Sequence, residues 1–259
     1  MAEASRNVLS QTSNVIVTCD SPATRVDAEA LAARLGLQFD ASGGGGETLC
    51  LMQTAYGLEL HDPATGAQLY VEFKDADIRT FRSGGPGPNL LRRAMGRATG
   101  GVVDATAGLG RDAVHLACLG YSVTAIERNP VVSAIAQNAV TRARARTLVP
   151  LHNPAWLTGD ARRLLPTLDP QPSVVYLDPM FPPKRKKTAA TRKEMHLLQR
   201  LVGADSDAHE LLAIARAYAT ERVVVKRPDD APPLAPGVSH AFSGKLVRYD
   251  VYDAVHRHE

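Results

Sequence analysis

Along the chain, short apolar runs and helically spaced apolar residues succeed one another in two different rhythms. The change falls at a segment rich in glycine and proline. Val15–Cys19 is a β-branched run that predicts a strand, broken at Ser21-Pro22. Val26, Ala30, Leu31 and Leu35 then recur at helical spacing, with Gly36 as the stop. Gly43–Gly46 reads as a turn, because no Lys-Ser/Thr pair follows it as a phosphate loop requires. Thr48–Gln53, Tyr56–His61 and Gln68–Lys74 predict three short strands, the last two joined by the turn Asp62–Gly66. Residues 1–82 are thus expected to form a small α/β subdomain. The Gly/Pro-rich stretch Ser83–Pro88 marks the boundary, and 83–259 form the second part.

From Gly101 onward strands and helices alternate at short intervals, which predicts a parallel, doubly wound α/β sheet. Asn89–Ala98 is a short helix carrying Arg92, Arg93 and Arg97. Val102–Ala105, Ser122–Ile126, Ala155–Thr158, Val174–Leu177 and Arg222–Val225 are the five strands. Helices are expected at Arg111–Leu119, from Asn129-Pro130 to about Arg142, and at Ala161–Leu168, Arg192–Leu201 and Ala208–Ala219. Asn before Pro suits the first of the helical positions at 129–130. Beyond the proline-rich stretch Pro228–Pro236, Val238–Phe242 and Lys245–Tyr252 predict a terminal strand pair.

Composition narrows the class without deciding it. With 259 residues, 44% apolar and 22% charged, the chain has the make-up of a folded globular protein. A net charge of +3 is too small to imply nucleic acid by itself, so the distribution of charge matters more. Cys19, Cys50 and Cys118 are an odd set without CxxC spacing and read as reduced thiols. No apolar run is long enough for a bilayer, and residues 1–14 lack a basic head before an apolar core. A cytoplasmic protein without membrane attachment is expected. The histidines show no ligand spacing with cysteines or acids, so no metal is expected.

Chemistry gathers at the ends of the predicted strands. After the first comes Asp104-Ala105-Thr106-Ala107-Gly108-Leu109-Gly110-Arg111-Asp112. Gly108 and Gly110 allow a tight turn and close approach of a ligand. Glu127 ends the second strand, where an acid can accept hydrogen bonds from a ribose diol, and Arg128 follows. Asp160, after the third strand, can accept from an adenine amine. Gly108–Ala113 also fits the dinucleotide fingerprint, so a nicotinamide-dependent oxidoreductase is an alternative. Asp104 on the strand and Asp112 opening the helix favour a cationic sulfonium donor over a pyrophosphate, hence S-adenosylmethionine.

The fourth strand stops at Asp178-Pro179-Met180-Phe181. An exocyclic nucleobase amine is a poor nucleophile, its lone pair being delocalised into the ring. A carboxylate (Asp178) and a proline carbonyl (Pro179) can accept its hydrogen bonds, and Phe181 can stack on the extruded base. Lys184, Arg185, Lys186 and Lys187 follow at once, and Lys226-Arg227 leave the fifth strand at the same edge; all six are candidates for the phosphates of a polyanion. An amino-methyltransferase acting on a polyanion follows, with a DNA adenine or cytosine amino-methyltransferase as the other enzyme reading.

DATAGLGRDA (104–113), AIERNP (125–130), VVYLDPMFP (174–182), RKEM (192–195), LVGAD (201–205) and VVVKRPDDAPPL (223–234) together resemble the bacterial ribosomal RNA small subunit methyltransferase J family, over about residues 80–252. Asp178–Pro182 is similar to the D-P-P-Y type motif of class I amino-methyltransferases. The resemblance implies a class I S-adenosylmethionine-dependent, Rossmann-like sheet. It also implies N2-methylation of a guanosine near the 3′ end of 16S rRNA in the small (30S) ribosomal subunit, with S-adenosylhomocysteine as the second product. By matching position it makes Arg111-Asp112, Glu127-Arg128, Asp160-Ala161 and Asp178 cofactor contacts, beside Asp104, Gly108 and Gly110 from the turn.

Overall fold

The computed structural model describes residues 14–83, 89–146, 154–179, 189–202 and 207–255, with 189–195 described by backbone alone. These residues group into two compact units. One takes its residues from Met1–Glu72, Asn129–Ala143 and Pro182–Ala204, the other from Phe73–Arg128, Arg144–Phe181 and Asp205–Glu259. The contacts therefore divide the chain differently from the expected break at residues 82–83.

In the first unit β1 (Val15–Cys19) lies between β2 (Gln38–Phe39) and β3 (Leu49–Thr54), parallel to both. β4 (Gly57–Asp62) and β5 (Ala67–Tyr70) continue the sheet antiparallel, giving the order β2-β1-β3-β4-β5. Helix α1 (Arg25–Leu35) returns the chain from β1 to β2, burying Ala28, Leu31 and Ala32. The third predicted strand, Gln68–Lys74, is shorter than expected, since only Ala67–Tyr70 pair. Residues from two later helices belong to this unit: α5 (Pro130–Arg146, as far as Ala143) and α7 (Ala189–Val202). Asn129 caps α5 by accepting from the Val131 and Val132 amides, and donates to the Leu201 carbonyl at 3.0 Å. Arg142 donates to the Tyr70 hydroxyl at 2.6 Å and the Val71 carbonyl at 2.5 Å. Arg200 pairs with Asp62, whose side chain is only 1% exposed.

The second unit begins with α2 (Asp75–Ser83), a helix the sequence reading missed. Asp75 and Asp77 in its first turn and Arg82 in its last suit the helix dipole, and only Ile78 is fully buried. α3 (Leu90–Met95) follows, capped by Asn89. The main sheet runs β11-β12-β10-β9-β6-β7-β8. Its five parallel strands are β6 (Val102–Asp104), β7 (Val123–Glu127), β8 (Ala155–Thr158), β9 (Val174–Leu177) and β10 (Arg222–Pro228). β12 (Val247–Asp253) and β11 (His240–Ser243) close one edge antiparallel. The expected helix Ala161–Leu168 is a short α-turn, α6 (Ala161–Leu164), continued as a 3₁₀ turn with Pro166 inside it.

Buried side chains of the central strands alternate between two clusters. Val103, Val175, Val223 and Val225 pack with α8 (Ala208–Tyr218). Val102, Val174, Tyr176 and Val224 pack with α3 and α4 (Arg111–Cys118). The chain reverses direction of strand addition between β6 and β9. Ligands of open parallel sheets bind at such a switch point, outside the carboxyl ends of the strands.

Gly57 has φ +136°, and a Cβ there would stand 2.4 Å from Arg142 Nε and 2.6 Å from Asn138 Oδ1. Gly57→Ala is expected to destabilise by about 2 kcal/mol, lowering the thermal midpoint by roughly 4–8 °C in calorimetry.

Candidate active site

Strand register decides which side chains meet at the switch point. Asp104 stands beside Tyr176, and Tyr176 beside Val224. Leu177 pairs with Val225, so the next residues outward, Asp178 and Lys226, become neighbours. Lys226 also faces Tyr249 of β12. Asp104, Tyr176, Asp178, Lys226 and Tyr249 lie toward the face covered by α4, which brings Asp112 from its first turn.

Three carboxylates and one ammonium therefore converge. Lys226 Nζ donates to Asp112 Oδ2 at 2.8 Å and pairs with Asp178 Oδ2 at 2.9 Å. The Tyr176 hydroxyl also donates to Asp112 Oδ2, at 2.7 Å. Asp178 is fixed through its backbone as well, its amide donating to Thr106 Oγ1 at 2.6 Å. Asp104 Oδ1 accepts from the Thr106 amide at 3.2 Å, while Asp104 Oδ2 is buried without a partner.

Electrostatics follow from that crowding. Burial, then the Asp112 charge, pushes the Asp104 carboxyl well above the ordinary range. Burial also raises Asp178, to about 6, with Asp112 adding to the rise and the Lys226 cation opposing it. For Asp112 burial works upward, but the Lys226 ammonium and the Tyr176 hydroxyl outweigh it and hold the carboxyl below its usual value. Burial disfavours the Lys226 charge, yet the Asp178 and Asp112 carboxylates more than offset this and raise it. Tyr249 is pushed up to about 12, by burial and then by Asp112. His115 stacks on Phe81 at 4.8 Å and is lowered by burial.

Beside this cluster lies the glycine turn. Gly108 (φ +52°) and Gly110 (φ +82°) both adopt the left-handed conformation, and Gly110 opens α4. The Gly108 amide donates to Glu127 Oε2 at 2.9 Å, so the acid ending β7 latches the turn that follows β6. Arg111 is exposed at the helix start. Arg128 grips Asp207 through both terminal nitrogens at 3.1 Å. Asp160 caps α6 through the Arg162 amide, at 2.9 Å, and its carboxylate also pairs with the Arg162 guanidinium, at 2.6 Å. Arg162 reaches Asp207 and Glu210 as well, and Ala161 is buried beneath this group.

Two expectations need correcting. Lys226 lies between two carboxylates rather than outward toward phosphates. Arg227 is 5% exposed and its guanidinium donates to the Pro232 carbonyl at 2.6 and 3.0 Å, so it clamps the proline-rich loop instead of meeting RNA. Pro179 is buried directly after Asp178. Phe181, Lys184, Arg185, Lys186 and Lys187 lie outside the described residues. Among the described residues no group of histidine, cysteine and acidic side chains could hold a metal ion, and no helix is long and apolar enough to cross a membrane.

Thr106, Tyr176, Tyr249 and Asp207 did not emerge from the sequence. For Lys226 a signal existed: strand alternation puts it on the face of Val224, inside a central strand, where a lysine demands acidic partners. The Tyr176 hydroxyl carried no such mark within its apolar run.

Comparison with known proteins now bears on this geometry. The family model described as "Putative SAM-dependent methyltransferase" matches residues 30–254. The ribosomal RNA small subunit methyltransferase J of Edwardsiella ictaluri is 45% identical over 235 residues, covering 86% of this chain and 91% of the relative. Its namesake from Proteus mirabilis is 39% identical over 260 residues, covering 93% and 100%. This chain belongs to the ribosomal RNA small subunit methyltransferase J family. Its fold is similar to that of the SAM-dependent methyltransferase NGO1261 from Neisseria gonorrhoeae, with TM-score 0.70 and 30% identity over 93% of this chain and 96% of that one. Membership of this family agrees with the Rossmann-like methyltransferase sheet and removes the nicotinamide reading of the glycine turn.

The Glu127 latch can be tested without any ligand. Glu127→Ala is expected to speed hydrogen exchange at the Gly108 amide by about tenfold, the equivalent of one lost hydrogen bond of ~1.4 kcal/mol.

Proposed function

We propose that this protein transfers a methyl group from S-adenosylmethionine to the N2 amine of a guanosine near the 3′ end of 16S rRNA in the small ribosomal subunit, in the cytoplasm. Family membership supports the donor and the class of RNA. Guanine, N2 and the position in 16S rRNA are what the family resemblance implies. The observation that carries the reading is the pair of acids flanking the switch point, Asp104 at the end of β6 and Asp178 after β9.

The residues present suit the donor. Asp104 Oδ2 is a buried acceptor without a partner, and buried acids of this kind call for a cation or a hydrogen-bond donor. The left-handed turn at Gly108 and Gly110 offers a close backbone approach, and Glu127 stands where a ribose is met in such sheets. Asp104, Gly108, Gly110, Arg111, Asp112, Glu127, Arg128, Asp160 and Ala161 would hold it. Arg128 and Asp160 act partly through each other, by way of Asp207 and Arg162. When bound, S-adenosylmethionine supplies an electrophilic methyl group on a sulfonium.

Asp178 and the Pro179 carbonyl then do the positioning. Accepting the amine hydrogens returns electron density to nitrogen and aims its lone pair, without a strong base. Phe181 would stack on the extruded base. Lys184, Arg185, Lys186 and Lys187 would neutralise phosphates and give affinity rather than sequence readout.

Incubation with undermodified 30S particles or with duplex DNA decides the substrate. N2-methylguanosine in the rRNA digest is expected, and label only in DNA overturns the reading. Asp178→Ala should lower kcat by about 10²–10³-fold, with RNA affinity largely kept. Because the Asp178 carboxyl is raised to about 6 and acts as the anion, kcat should climb with pH to a plateau above that value.

A further inference from the structure

Lys226 is the one cation that touches the acceptor-gripping acid among the described residues, and neither strand nor loop geometry leaves it facing outward. It ends the apolar run Val223-Val224-Val225 of a central strand, with 24% of its side chain exposed. Its ammonium contacts Asp112 on α4 and Asp178 after β9, two acids from separate elements. We propose that Lys226 is a positioning residue that holds the Asp178 carboxylate as an anion, in one orientation, for the acceptor amine. This rests on the methyl-transfer reading above and deepens it.

The need for such a residue follows from what surrounds Asp178. Asp112 faces it from α4, Asp104 from the end of β6, Tyr176 from its own strand and Tyr249 from β12, while His115 lies further along α4. Apart from Lys226 these groups are acidic or neutral, so protein burial and neighbouring charge both favour the protonated acid. A protonated Asp178 would present a hydrogen to the amine on one oxygen and lose the acceptor strength that draws density onto nitrogen. One ammonium can satisfy two carboxylates because its three hydrogens point apart. Sharing it also sets a balance: Asp112, by drawing on the same cation and adding its own charge, works against the ionisation of Asp178.

That balance gives variants of opposite sign. In uniformly ¹³C-labelled free protein, the Asp178 carboxyl carbon should titrate near 6. It should titrate about one pH unit or more higher in Lys226→Met, and lower in Asp112→Asn. Lys226→Arg, which keeps the charge, should stay close to the unsubstituted protein. The acid limb of kcat on undermodified 30S particles, at saturating donor, should move in the same directions. RNA binding supplies the counter-test. If Lys226 were a phosphate contact, Lys226→Met would reduce the slope of log affinity against log salt by about 0.7–0.9. An unchanged slope is expected, and a reduced one overturns the proposal. So does an Asp178 titration that moves in neither Lys226→Met nor Asp112→Asn. Should Lys226→Met not fold, Asp112→Asn and Lys226→Arg still decide it. Absence of methyl transfer by the unsubstituted protein removes the function proposed above, whereas the carboxyl titration needs no substrate and judges Lys226 separately.

Discussion

Everything at the switch point depends on a single ammonium placed among acids. Parallel strands bring their carboxyl ends together, and in this chain two of the residues delivered there are aspartates, with Asp112 of α4 a third. Such a gathering would repel itself or neutralise itself by protonation. Lys226 reaches the same point because β10 is in register with β9, and one residue beyond the last paired positions its side chain meets Asp178. The sheet thus solves an electrostatic problem that its own topology creates. Asp104, more distant from that cation, remains the uncompensated member.

Around this centre the supporting contacts share a plan: loops following different strands are tied to one another rather than to the solvent. The Gly108 turn is held by Glu127 from the next strand, and Asp178 by Thr106 from the loop after the neighbouring β6. Arg128 and Arg162 share Asp207, linking the segments after β7 and β8 to the start of α8. Each tie is a side chain reaching a backbone amide or a paired charge. The loops are therefore shaped before any ligand arrives, which reduces the ordering that binding must impose.

Much of this was legible in the residues. Four of the five parallel strands follow from β-branched runs ending in Asp, Glu or turn residues, and Asn129-Pro130 announces its helix through the cap it forms. Asp104, Glu127 and Asp178 drew notice because each stands at or just beyond a strand end, and Gly108 and Gly110 because they shape the turn after β6. What stayed hidden depended on long-range partners. α2 is short and polar along most of its length, and its apolar pair Ile78 and Phe81 stands directly before the Gly/Pro-rich stretch read as a boundary. Lys226 and Arg227 looked like one basic patch, because linear adjacency conceals that strand neighbours point to opposite faces. One goes to the acids and the other to Pro232. Nor could spacing show that residues of α5 and α7 belong with the first sheet, since Asn138 and Arg142 find their partners some 70–80 positions away.

The latch between Gly108 and Glu127 has a bearing on what the turn will refuse. In sheets that hold diphosphates, amides of the glycine turn point at the anion. Here one such amide already faces a carboxylate, and a second acid, Asp112, stands in the first turn of the helix. A diphosphate meeting this turn would have to displace Glu127 from the Gly108 amide, whereas a donor that carries no phosphate leaves that bond intact.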